Sequence, residues 1–147
     1  GLINLNFSTI SVVSRNKSSL DELILNFKNQ IEIHGLLSND NQAQNLIEEA
    51  DLIVNTTPVG MKTSKYEMNV LPYGETFWRS LKSKTTIYDL IYNPAPTPLL
   101  KLSAKKGCFT IDGLQMLVAQ GMKSLSFWTN GLEVPFHVMN DALKKYL

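Results

Sequence analysis

The chain has 147 residues, 44% of them hydrophobic, which suits one domain with a real core. Lys plus Arg number 14 against 13 Asp plus Glu, and this near balance excludes a large electrostatic footprint for nucleic acid or anionic membrane. A lone cysteine, Cys108, rules out an internal disulfide, and no apolar run is long enough to span a bilayer. The start of the chain has no signal-peptide pattern, so the expected location is cytoplasmic, and a chain opening on Gly1 rather than Met suggests a fragment.

In chain order, short β-branched runs alternate with segments of helical spacing. Thr9–Val13 is the first expected strand, followed by a helical stripe of Leu20, Leu23, Ile24 and Phe27. Ile31–His34 is the second strand, followed by Ala43, Leu46, Ile47 and Ala50 on one helix face. Leu52–Val54 is a third strand, and Phe77, Trp78 and Leu81 mark a short helix. Thr85–Tyr88 is a fourth strand, followed by a stiff proline loop over 94–98 and a helix carrying Leu99, Leu100, Leu102 and Ala104. Cys108–Ile111 is a weaker fifth strand. Leu114–Trp128 reads as one long helix, Asn130-Gly131 as its stop, and Pro135 as the first turn of a final helix. Alternation of this kind predicts an α/β fold: an incomplete, doubly wound parallel sheet of Rossmann-like type with two helices at the C-terminus.

Ligands of open α/β sheets bind beyond the carboxyl ends of the strands, so the segments after each strand are the candidates. After the first comes Ser14-Arg15-Asn16-Lys17, where a guanidinium fork and a second cation suit a nucleotide 2′-phosphate. The same residues also fit a solvated loop with a helix N-cap at Ser18 or Ser19. Asn55-Thr56-Thr57-Pro58-Val59-Gly60-Met61 offers small donors at a sharp turn, equally compatible with a structural corner. In Asp89-Leu90-Ile91-Tyr92, the phenol could contact a ligand, or Asp89 could cap the loop while Tyr92 packs with its hydroxyl satisfied. In the run from Asp112 to Gln120, Gly113 permits close backbone approach, and Met116 and Gln120 share a helix face that could line a cleft. An isolated helix would instead make Met116 core and Gln120 surface. His34 and His137 lack metal-ligand spacing, no metal is expected, and Cys108 reads as an inert buried thiol.

Taken together, Ala50-Asp51-Leu52-Ile53-Val54-Asn55-Thr56-Thr57-Pro58-Val59-Gly60-Met61, Asp89-Leu90-Ile91-Tyr92-Asn93-Pro94 with Thr97-Pro98-Leu99-Leu100, and Asp112-Gly113-Leu114-Gln115-Met116-Leu117-Val118-Ala119-Gln120 resemble the shikimate dehydrogenase family. The resemblance runs in order from about Thr9 to the C-terminus. It implies NADPH-dependent reduction of 3-dehydroshikimate to shikimate, within aromatic amino-acid biosynthesis. It also implies roles. Ser14, Arg15, Asn16, Lys17 and Ser19 take the position of the 2′-phosphate clamp, although the family usually reads Asn-Arg-Thr at its start and often has a second arginine where Ser19 stands. Thr57 falls near the adenosine ribose, Leu90, Gly113 and Met116 near the nicotinamide, and Tyr92 and Gln120 at the substrate ring.

The resemblance further implies that residues 1–147 are the C-terminal NADP-binding domain without its first strand and glycine-rich loop, since residues 1–7 read as the tail of a helix. The family's catalytic lysine and aspartate lie in a substrate domain that this chain does not match. Lys62 and Lys65 do not take that role, so no catalytic residue is expected here and the chain alone is expected to be inactive. The implied partner is the small-molecule substrate, shikimate or 3-dehydroshikimate, with a homodimer left open. Two other readings stand beside this one: a quinate/shikimate dehydrogenase relative using NAD, against which Arg15 counts, and a non-catalytic nucleotide-binding module.

Overall fold

The computed structural model of the chain describes residues 2–62 and 74–146. Gly1 and Lys65 lie outside the described residues. The chain divides into two units, Gly1–Ala50 with Glu75–Leu81, and Asp51–Gly74 with Lys82–Leu147.

In the first unit, a single 3-10 turn over Ile3–Leu5 closes at Asn6, whose φ of 59° is left-handed. Strand β1 (Ile10–Ser14), helix α1 (Lys17–Phe27), strand β2 (Ile33–Leu37) and helix α2 (Ala43–Glu49) follow, with most of helix α3 (Gly74–Ser80) belonging to this unit. β1 and β2 pair in parallel, Ile10 opposite Ile33 and Ser14 opposite Leu37. The stripe on α1 behaves as its spacing predicts: Leu20 is buried and Leu23, Ile24 and Phe27 are half-buried. α1 can close on β2 because position 35 is glycine; a β-carbon there would lie 2.6 Å from Ile24 Cδ1 and 3.1 Å from Leu20 Cγ. The N-cap of α1 is Asn16, not Ser18 or Ser19. Its Oδ1 accepts from Ser19 N at 3.1 Å, while Asn16 N donates to Ser14 Oγ, also at 3.1 Å. Asn16 has the extended backbone a cap requires, whereas both serines already lie inside the first turn. In α3, Phe77 is fully buried and Trp78 meets it edge-on, with ring centroids 4.9 Å apart.

The second unit is a parallel sheet in the order β3 (Leu52–Asn55), β4 (Thr86–Asp89), β5 (Phe109–Ile111). β4 is central, and its Ile87 and Asp89 are fully inaccessible. Helix α4 (Pro98–Lys105) starts on Thr97, whose Oγ1 accepts from Leu100 N at 3.3 Å, with proline in its first turn where no amide hydrogen is needed. Leu99 and Leu100 of α4 are buried. Helix α5 (Leu114–Trp128) has the predicted bounds, and Val118 anchors it at zero exposure. α5 ends as the Asn130-Gly131 pair predicts: Asn130 is left-handed at φ 54°, and Gly131 N donates back to Ser126 O at 2.8 Å. Helix α6 (Phe136–Lys144) begins one residue later than expected, because Pro135 serves as its cap.

Candidate functional site

The clamp candidates sit on the loop and first turn between β1 and α1. Ser14 Oγ donates to Asn16 O at 3.2 Å as well as accepting from Asn16 N, so this hydroxyl is spent within the loop. Asn16 Oδ1 is spent on the helix cap. Lys17 Nζ lies 2.7 Å and 3.0 Å from the two carboxylate oxygens of Asp21, one turn along α1, with both side chains exposed. Ser19 is exposed at the start of α1, its N–H held by Asn16. Arg15 is exposed and its guanidinium has no partner among the described residues. The loop therefore presents one uncommitted cation, held between a pinned serine and a pinned cap.

The second unit gathers the remaining candidates at the carboxyl ends of β3, β4 and β5. Asn55 is fully buried, and its Oδ1 accepts from Thr57 N at 3.1 Å and from Thr57 Oγ1 at 2.8 Å. Thr57 is half-buried, and its hydroxyl also accepts weakly from Val59 N at 3.4 Å. Leu90 N donates to Asn55 O at 3.1 Å, which ties the β4 loop to the end of β3. Lys62 N donates to Asn93 O at 3.1 Å and ties the same two loops farther out. Tyr92 is half-buried, and its hydroxyl has no partner among the described residues.

Gly113 is buried at the mouth of α5, where its N–H donates to Ile91 O at 3.2 Å. A β-carbon at 113 would fall on the Leu90 carbonyl, so the close approach expected of this glycine is to the β4 loop. Asp112 Oδ1 accepts from Leu114 N at 3.0 Å and opens the helix. One turn in, Met116 is 38% exposed, so it is not core, and Gln120 is exposed on the same face.

Asn55, Asp89 and Thr97 lie apart in sequence but meet in the fold. Asp89 Oδ1 accepts from Asn55 Nδ2 at 3.0 Å and from Ile91 N at 3.2 Å; its Oδ2 accepts from Thr97 Oγ1 at 2.6 Å. Each of the three side chains is at most 1% exposed. A carboxylate ending a buried strand and a Thr-Pro helix start were the available signals, but neither names the other's position. Elsewhere, burial raises the pKa of the Cys108 thiol, which Lys106 partly offsets, and burial followed by Asp112 raises that of Tyr88. Among the described residues, no cluster of three or more His, Cys, Asp or Glu could hold a metal, and no helix is long and apolar enough to cross a membrane. A hollow of about 470 Å³ lined by Ile33, His34, Leu36, Gln42 and Leu46 contains none of the candidate residues.

Residues 113–144, which span α5 and α6, match the family model for the shikimate 5′-dehydrogenase C-terminal domain. A shikimate dehydrogenase (NADP(+)) of Prochlorococcus marinus strain MIT 9312 is 85% identical over 147 residues, all of this chain and 51% of the relative. A Listeria monocytogenes shikimate 5-dehydrogenase solved with shikimate and NAD superposes with a TM-score of 0.79 at 25% identity, over 92% of this chain and 47% of that one. A shikimate dehydrogenase solved with NADP+ gives a TM-score of 0.71 at 27% identity, over 94% of this chain and 46% of that one. The Rossmann-like α/β architecture expected from the strand–helix alternation is thus shared with these structures. The chain spans about half the length of the curated relatives it matches. Along its whole length the chain is similar to shikimate dehydrogenases, and residues 113–144 match the model of their C-terminal domain.

Proposed function

We propose that this chain is the C-terminal, NADP-binding part of an enzyme that reduces 3-dehydroshikimate to shikimate. The observation that carries the reading is the 85% identity to an NADP-dependent shikimate dehydrogenase, unbroken over all 147 residues. The residues fit a phosphorylated dinucleotide. Arg15 is an exposed, uncommitted guanidinium at the loop after β1, where a 2′-phosphate would be read by paired N–H donors. Ser14 and Asn16 hold that loop in shape, Ser19 opens α1 beside it, and Lys17 joins as a second charge when it leaves Asp21.

NADPH, when bound, supplies the hydride for a carbonyl. In the second unit, Thr57 lies toward the ribose, while Leu90, Gly113 and Met116 make an apolar seat for the nicotinamide. The phenol of Tyr92, without a partner among the described residues, and the amide of Gln120 hold the substrate ring through its carboxylate or hydroxyls. Both are assigned to holding the substrate, and neither is assigned the acid–base role.

The acid–base pair and the glycine-rich pyrophosphate cradle are assigned to polypeptide outside these 147 residues. In support, the chain spans about half the length of its relatives, and β1 and β3 each pair on one side only among the described strands. The reading leaves a homodimer open, which sedimentation of the full-length protein would decide. The test of function is NADPH absorbance with shikimate and NADP. Full-length enzyme should turn over and the 147-residue chain alone should not, because near-attack geometry needs both reactant sites and a proton acceptor together. Turnover by the chain alone within about tenfold of full length, a barrier difference of only about 1.4 kcal/mol, would refute the placement of the catalytic groups.

A further inference from the structure

One buried carboxylate is tied to every loop of the second unit that carries a candidate contact. Asp89 reaches the β3 loop through Asn55, whose amide donates to Asp89 Oδ1 at 3.0 Å while its carbonyl oxygen takes both the N–H and the hydroxyl of Thr57. It reaches its own loop directly, accepting Ile91 N at 3.2 Å. From there the order passes to the start of α5, because Gly113 N donates to Ile91 O at 3.2 Å. Its other oxygen holds Thr97 Oγ1 at 2.6 Å, and Thr97 in turn caps α4. Asn55 and Asp89 have no solvent exposure and Thr97 has 1%, so water does not compete for these bonds. None of the three side chains lies on a surface a ligand could touch.

We propose that Asp89 is a positioning residue: through Asn55, Ile91 and Thr97 it fixes the Thr57 loop and the Leu90–Tyr92 segment relative to α5, and so sets the alignment of nicotinamide and substrate. This rests on the assignment of Thr57, Leu90, Tyr92, Gly113, Met116 and Gln120 under Proposed function. Every anchor bond is directional, so losing one lets a loop drift without emptying the core. Drift of about 1 Å between reacting groups is enough to cost about a hundredfold in rate.

The test compares Asp89→Asn, Thr97→Val and Thr97→Ser in the full-length enzyme. Thr97→Val keeps the shape and removes the hydroxyl; Thr97→Ser restores it. Rates are normalised to folded protein by circular dichroism, and hydrogen exchange is followed in peptides covering residues 55–61 and 89–93. Asp89→Asn should lower kcat/KM for shikimate by about a hundredfold, the scale of such a misplacement, with a raised KM for shikimate and a lowered kcat. Thr97→Val should move the same constants in the same direction, Thr97→Ser should restore them, and exchange should quicken in both peptides of Asp89→Asn and Thr97→Val.

A lower melting temperature with KM and kcat per folded molecule unchanged would reduce the network to a stability element and overturn the proposal. If Asp89→Asn does not fold, Thr97→Val decides by the same criteria. An unaltered enzyme that makes no NADPH from shikimate would instead refute the function proposed above. The network would then be judged by exchange alone, faster in both peptides supporting it and unchanged rates overturning it.

Discussion

Gly113→Ala should destabilise the protein although nothing in the local backbone forbids alanine. Gly113 has φ −79° and ψ −4°, which any L-residue adopts. On backbone entropy alone, the change would stabilise by about 0.4–1 kcal/mol. The obstacle is the place where the β-carbon must go, on the carbonyl of Leu90, with the Leu90 Cα only 3.1 Å away. Backbone cannot rotate aside as a side chain can, and the Gly113 N–H to Ile91 O bond holds the same two segments together. Overpacking of this kind costs about 1–3 kcal/mol, more where backbone must shift, so the net effect should be a loss of about 1–2 kcal/mol.

Gly121→Ala is the internal control. Gly121 lies within α5, and an added β-carbon there would meet only Met139 Cε, at 2.9 Å, the far end of a flexible side chain. That variant should be neutral, or stabilised by up to about 1 kcal/mol through helix propensity. Urea unfolding of the full-length protein by circular dichroism gives the comparison as shifts in midpoint at unchanged slope. Equal midpoints for Gly113→Ala and the parent would show that Leu90 and Gly113 do not approach this closely.

Two further outcomes concern Arg15 and Cys108. Arg15→Ala in the full-length enzyme should shift the ratio of kcat/KM for NADP over NAD toward NAD by roughly tenfold to a hundredfold, the worth of a charged hydrogen bond of about 1.5–3 kcal/mol; an unchanged ratio would remove Arg15 from cofactor choice. Cys108 should alkylate slowly at neutral pH and reach half-maximal rate above the pH at which the unfolded chain does, because burial raises its pKa. The sign for stability follows: this contribution is fully present below the unfolded thiol pKa and is lost as pH rises through the higher folded value. Equal alkylation profiles for native and urea-unfolded protein would count against the burial.

Element order was legible because each apolar stripe has one face to bury. The α5 stripe of Leu114, Leu117, Val118, Met122 and Leu125 gave the bounds observed. Boundaries slipped where local hydrogen bonds decide them. β2 begins at Ile33 rather than Ile31, since Gln30 N and Ile31 N still bond to Phe27 O at the end of α1. The cap of α1 fell to Asn16 because side chain and extended backbone must be right together. At the candidate site, the residue types after each strand were readable, and so was their grouping at carboxyl ends. What could not be read was commitment. Lys17 and Asp21 stand four apart, yet it takes the fold to turn the ammonium onto the carboxylate and leave Arg15 without a partner among the described residues. Likewise, Asn55 and Asp89 are 34 positions apart and meet only because β3 and β4 pair in register, Asn55 opposite Asp89.

That register bears on why the polar trio exists at all. An apolar set of the same shape at positions 55, 89 and 97 could be about as stable, since replacing both partners of a buried hydrogen bond is often nearly neutral. Folding stability therefore does not account for a fully buried aspartate at the end of the central strand. Apolar packing, however, is non-directional and constrains a loop only by exclusion. The Asp89 oxygens fix Ile91 N, Asn55 Nδ2 and Thr97 Oγ1 each along one line, and Asn55 passes that constraint to Thr57. Under the role proposed for Tyr92, its loop has to keep the phenol accessible and cannot bury itself to gain order. It has to be held from below, and the Asp89 carboxylate bonds to that loop directly and to the Thr57 loop through Asn55.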